Sequence, residues 1–195
     1  MGVLNMKKVI SFALVMVLTV CGLFAFTGCG EKQPTGTKLS LLRDSYIGDG
    51  AKVSVDFYYP EDASIEVEED SEYAKTLINK EVNYKMKLRL QEDSTYENNK
   101  ESDKEWYEEK YKEFKIGNYD AYSCESYRAI KAVALLDEIS ETTIRFVTIN
   151  VDVISQAGND VSGIELFNND EKVKSIVNSL TYNGAVDAEG NKVVE

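Results

Sequence analysis

The chain predicts an α+β fold, an antiparallel β-sheet flanked by helices, and three stretches of its 195 residues carry that expectation. Residues 82–91 alternate, with Tyr84, Met86, Leu88 and Leu90 on one face and Lys85, Lys87, Arg89 and Gln91 on the other. Such alternation marks a strand with one dry and one wet face, as in an antiparallel sheet covered on one side. Residues 98–115 change to a helical period, with Tyr107, Tyr111 and Phe114 at i, i+4 and i+7 and Trp106 beside them. Residues 170–180 place Val173, Ile176, Val177 and Leu180 on one helical face behind Asn169 and Asp170, either of which is a good N-cap.

The other elements follow in order. The domain is expected to begin near Leu39. Residues 53–59 alternate and stop at Pro60-Glu61-Asp62, a strand ending in a turn. Residues 64–68 alternate again, with Ile65 and Val67 together and the glutamates toward water. Glu108 and Lys112 form an i,i+4 pair on the predicted helix, and Gly117-Asn118 reads as its end. Three strands are expected over 120–127, 129–137 and 142–153, with a hairpin turn at 138–141. In the last of them Val147, Ile149, Val151 and Val153 share an apolar face. Gly158-Asn159-Asp160 is a loop, and 179–182 adds a final short strand. Residues 184–195 read as a polar, disordered tail.

Upstream of the domain the chain carries a secretory leader. Lys7 and Lys8 precede an uncharged apolar run over 9–26, and Met6 offers an alternative start to Met1. The run ends in Phe26-Thr27-Gly28-Cys29, which resembles the lipobox of bacterial lipoproteins. The resemblance implies cleavage before Cys29 and a diacylglyceryl thioether on that cysteine. The competing reading is an uncleaved transmembrane helix, since the run approaches the roughly 20 residues needed to cross a bilayer. Gly22 and Gly28 weaken such a helix, and no basic stop-transfer cluster follows. Two acyl chains anchor stably, where one holds only marginally. The expected organisation is a leader at 1–28, a lipid-anchored flexible tether at 29–38, one domain at 39–183 and the tail at 184–195. It places the protein on the extracytoplasmic side of the cell membrane.

Composition narrows the chemistry. Removing 28 of the 195 residues leaves 167, one domain plus a tether. The leader holds two lysines and no acid, so the mature part has 20 basic and 34 acidic residues, a formal charge of −14. That surface disfavours nucleic acid and anionic headgroups, and no basic patch is evident. The chain has no histidine, so Ser-His-Asp, Cys-His and histidine-ligated zinc sites are excluded. Once Cys21 leaves and Cys29 is lipidated, Cys124 stands alone and reads as a small buried hydrophobe. No phosphate-binding glycine motif occurs, and no catalytic residue, metal ligand or cofactor is assigned. Glu66, Glu68, Glu69, Asp70 and Glu72 could offer oxygens to calcium, but without EF-hand spacing they read as a solvated strand edge. Asp152 with Asn159 and Asp160 is a weaker acidic group. The 12 tyrosines are read as core or core-rim residues, with a sugar-binding platform as the sharper alternative.

The turn Tyr59-Pro60-Glu61-Asp62 and the closing Ile176-Val177-Asn178-Ser179-Leu180 resemble recurring features of the Mog1/PsbP-like superfamily. The order of strands, charged helix, meander and terminal helix over 53–182 is similar as well. The resemblance implies an α/β sandwich with no shared catalytic residue, hence a non-enzymatic binding or assembly module. Its expected partners are the membrane, through the anchor, and an envelope protein. A small-ligand or calcium-binding lipoprotein is the alternative.

Overall fold

The computed structural model describes residues 36–46, 50–62, 64–126, 128–140, 144–187 and 192. The leader and Cys29 lie outside the described residues. Among the described residues ten strands and three α-helices form an α+β sandwich of two antiparallel sheets. The smaller sheet has the order β1-β2-β10, with β1 Thr37–Asp44, β2 Lys52–Tyr59 and β10 Thr181–Val186. The larger has the order β3-β4-β5-β9-β8-β7-β6. Its strands are β3 Ile65–Ser71, β4 Ala74–Asn79, β5 Tyr84–Asp93, β6 Tyr111–Ile116, β7 Tyr119–Glu125, β8 Ala129–Ser140 and β9 Ile144–Ser155. Helix α1 spans Tyr96–Tyr107, α2 Gly163–Asn169 and α3 Glu171–Asn178.

The alternation of β5 and β9 builds the core. Met86, Leu88, Leu90, Val147, Ile149, Val151 and Val153 are all fully buried. They meet Leu41, Val53, Val55 and Phe57 of the smaller sheet and Val173, Ile176 and Leu180 of the α3 segment. Each such aliphatic side chain contributes about 1.5–3 kcal/mol on burial, so the shared face of the two sheets dominates stability. Helix α2 packs on β8 and β9, and α3 packs on β2. Asp170 caps α3 by accepting from the Val173 N–H at 2.9 Å, as its sequence position predicted. Helix α2 was not read from the sequence, although Ser162 and Glu165 form a complete capping box at its start.

The structure corrects several expectations. The helix predicted over 98–115 stops at Tyr107, and after a short 3₁₀ turn the chain turns into β6. Tyr111 and Phe114 therefore lie on a strand, and Lys112 pairs across it with Glu125 at 3.1 Å instead of with Glu108. Gly117-Asn118 is the two-residue turn of the β6–β7 hairpin, with Gly117 at φ 58 as a II′ turn requires at its first central position. The hairpin thus outcompetes a helical stripe whose Trp106 remains 84% exposed. Strand β8 runs through the turn expected at 138–141, of which Glu141 lies outside the described residues. Thr37 and Lys38, assigned to the tether, begin β1. Gly184 to Val186, assigned to the tail, complete β10, and Val186 bridges Lys192. Among the described residues no helix is long and apolar enough to cross a membrane.

Candidate functional site

The outer face of the larger sheet, opposite the core, is covered at one end and open at the other. Helix α1 packs on β6 and β7. Beneath it the ring of Tyr96 lies 6.1 Å from Tyr122 and 5.5 Å from Phe146, and Tyr111 stacks on Tyr122 at 5.5 Å. Asp103 of α1 accepts from the Tyr122 hydroxyl at 3.0 Å and pairs with Lys131 at 2.6 Å. Burial beside that carboxylate pushes the Tyr122 phenol well above its ordinary value. Cys124 is buried in the same cluster, and burial raises its thiol to about 11, which leaves no thiolate for chemistry at neutral pH.

Beyond α1 the face is open. Strand register aligns Lys87, Asp152 and Lys131 across β5, β9 and β8. Thr76 and Ala74 of β4 stand beside Lys87 and Arg89, and their small side chains leave a furrow along β5. A depression of about 270 Å³ lies between Lys85, Lys87, Arg89 and Asp152 on one side and Glu68 and Asp70 on the other. It shares Asp70, Ala74 and Arg89 with a second of about 440 Å³ that reaches Arg43 and Tyr73. The side chains of Lys85, Lys87 and Arg89 make no hydrogen bond or ion pair with any described residue, whereas many other lysines, such as Lys52, Lys75 and Lys80, are paired. The Arg43 guanidinium lies over the Tyr73 ring at 5.1 Å, and farther on Arg145 lies over Tyr46 at 3.6 Å. Asp152 Oδ1 is buried without a partner. Burial pushes that carboxyl up, against the pull of Lys131, Arg89 and Lys87.

The sequence read these cations as the wet face of a strand and found no basic patch. The structure sets them in a furrow of mixed charge, with Glu68, Asp70 and Asp152 beside them, where β4 supplies the small neighbours and β1 a fourth cation, neither of which strand periodicity reveals. The acidic run is dispersed along the edge strand β3 and the turn after it. Glu66 pairs with Lys80, Glu69 with Lys75 at 3.1 Å and Glu72 with Lys52 at 2.8 Å, while Asp70 accepts from the Thr76 hydroxyl at 2.6 Å. Asp152 does not join Asn159, whose amide donates to the Val82 carbonyl at 2.6 Å in the loop after β9. Among the described residues no group of three or more acidic, histidine or cysteine side chains could hold a metal ion. Tyr84, Tyr96 and Tyr122 are buried as core residues, while Tyr46 and Tyr73 are exposed.

No family model matches the chain, and no curated protein matches it. A solved structure from Bacteroides thetaiotaomicron VPI-5482 is similar over 66% of this chain, at 12% identity and a TM-score of 0.40. The match spans 45% of that protein's length.

Proposed function

We propose that this chain is a non-catalytic binding module. It is a Mog1/PsbP-like sandwich held on the extracytoplasmic face of the cell membrane by a lipid on Cys29. The open face of its larger sheet engages an envelope component. The observation that carries the reading is the furrow lined by Lys85, Lys87 and Arg89, three cations left unpaired in a chain whose 34 acids outnumber its 22 bases. None of the three closes an ion pair with Glu68, Asp70 or Asp152 across the furrow, so the row fits an incoming anion. The lipobox supports the anchor. The absence of histidine and the raised Cys124 thiol favour binding over catalysis.

The test places a photoreactive phenylalanine analogue at Tyr73, where an aromatic ring already lines the furrow, and at Trp106 as a remote control. Irradiation of native membranes should trap an envelope component from position 73 only, and less of it when Cys29→Ser releases the anchor. Equal trapping from both positions, or none from either, would remove the sheet face from the proposal. Mass spectrometry of the membrane-extracted protein should find a diacylglyceryl Cys29 at the N-terminus; an intact leader would remove the anchor.

A further inference from the structure

We propose that the furrow binds a linear acidic glycan, with Lys85, Lys87, Arg89 and Arg43 meeting its carboxylates and Tyr73 lying against a sugar ring. The inference rests on the reading of this face as the binding surface and adds the class of ligand. Charge is the first argument. Long-range repulsion from the acidic chain is screened beyond about 8 Å at physiological ionic strength, so the local cations decide what binds. The carboxylates that share the furrow oppose them only in part. Asp70 accepts from the Thr76 hydroxyl, Asp152 is held partly buried with its carboxyl raised by that burial, and the four cations outnumber the three acids of the joined depressions. Glu68 remains, on the far side from β5.

Shape gives the second argument. Same-face neighbours on a strand are about 6.6–6.8 Å apart, so the three β5 cations span roughly 13 Å. The two depressions join through Asp70, Ala74 and Arg89, and the path continues from Lys85 to Tyr73. A chain molecule fits such a path better than one isolated ion.

The lining decides between glycan and peptide. Strand β5 lies inside the sheet, paired to β4 on one side and β9 on the other, so no peptide can add to it by backbone hydrogen bonds. The floor of Ala74 and Thr76 offers no apolar pocket for side-chain anchors. Gln91, whose oxygen accepts from the Asn150 amide at 2.9 Å, keeps its own amide N–H groups for the hydroxyls of a ligand. Tyr73 is 42% exposed and presents an apolar ring beside the Arg43 guanidinium, which donates to the Leu90 carbonyl at 3.4 Å through one nitrogen and keeps its other N–H groups for a carboxylate.

The experiment uses the full-length chain in detergent and measures binding of polygalacturonate, poly-L-glutamate, polyphosphate and uncharged dextran. Polygalacturonate should bind at least about tenfold more tightly than poly-L-glutamate, and dextran should not bind. Lys87→Gln with Arg89→Gln should weaken polygalacturonate about tenfold or more, and Tyr73→Ala about fivefold. Lys104→Gln on α1 should change nothing. Both furrow cations are exposed, so the double variant should keep the parent unfolding midpoint; if it does not, Lys85→Gln alone provides the same test. Poly-L-glutamate binding as tightly as polygalacturonate would overturn the glycan in favour of an acidic peptide. Polyphosphate binding equally, with Tyr73→Ala silent, would reduce the furrow to a bare charge trap. Failure of every polymer, or indifference to Lys87 and Arg89, would also overturn the inference. If photocrosslinking from position 73 survives that failure, the binding face stands and only its ligand class falls.

Discussion

Gly163 opens α2 where the backbone of that helix touches the larger sheet. A Cβ at this position would lie 2.6 Å from the Val153 carbonyl oxygen and 2.8 Å from both the Ala129 Cα and the Arg128 carbonyl oxygen. All three are backbone atoms that cannot swing aside. Gly163→Ala should therefore destabilise the fold by about 1–3 kcal/mol, as overpacking does in cores, despite the better helix propensity of alanine. Chemical denaturation measures it, and an unchanged or raised midpoint would show that α2 can lift off the sheet. A close backbone approach of this kind is invisible in sequence, where Gly163 looks like any loop glycine. The burial of Cys124 was legible, because a lone thiol without an imidazole reads as packing. The furrow around Lys87 was not, because Asp152, which lies across from it, comes from a strand far away in the chain.

At the scale of elements, the turn after β2 is locked to α3 through Asp62 and Lys172. The hydrogen bond and ion pair from Lys172, with the Ser64 N–H at 2.8 Å, hold the Asp62 carboxyl down at about 2. Its folded value lies below the ordinary value of about 3.9, so the support it gives is fully present above about pH 4. That support is lost as the pH falls through about 2. Lys172→Ala should raise the Asp62 value toward the ordinary one in a carboxyl NMR titration and move acid unfolding to higher pH. An unmoved titration would mean that the Ser64 turn alone sets it. The same scale shows which sequence signals can be trusted. Alternation located β2, β3, β5 and β9, while β7 and β8 were read from their β-branched, aromatic and small residues, since consecutive buried positions such as 121–124 of β7 leave no alternation to see. The apparent stripe of Tyr107, Tyr111 and Phe114 misled, because three aromatic residues fit a helix and a hairpin alike. There the glycine at the II′ position decided the outcome. Ser162-x-x-Glu165 was readable as a capping box, but α2 is too short to announce itself by period. The short strand β4 was hidden because Ala74, Lys75, Thr76 and Leu77 are all buried, so no alternation survives.

For the whole molecule, two sheets of unequal size share one core, and the smaller is closed only by the last strand. Strand β2 lies between β1 and β10, so residues 52–56 pair with residues 181–186 across most of the chain. Asn183 reaches across to Ser54 Oγ at 3.0 Å and Asp56 Oδ2 at 2.9 Å. These bonds complete a network in which Asp56 also pairs with Lys38 at 2.8 Å. A chain truncated after Leu180 should leave one edge of β2 open and its buried Ser54 and Asp56 short of partners. Sedimentation should then show self-association, with a lower unfolding midpoint than the parent. A monomer of parental stability would mean that β10 is dispensable.

The position of β10 also bears on when the protein folds. Strand β2 leaves the ribosome more than a hundred residues ahead of the strand that completes its sheet. Contacts so distant along the chain form late and slowly. The β1–β2 hairpin therefore waits for the C-terminal strand before its sheet is complete, while every strand of the larger sheet has by then been made.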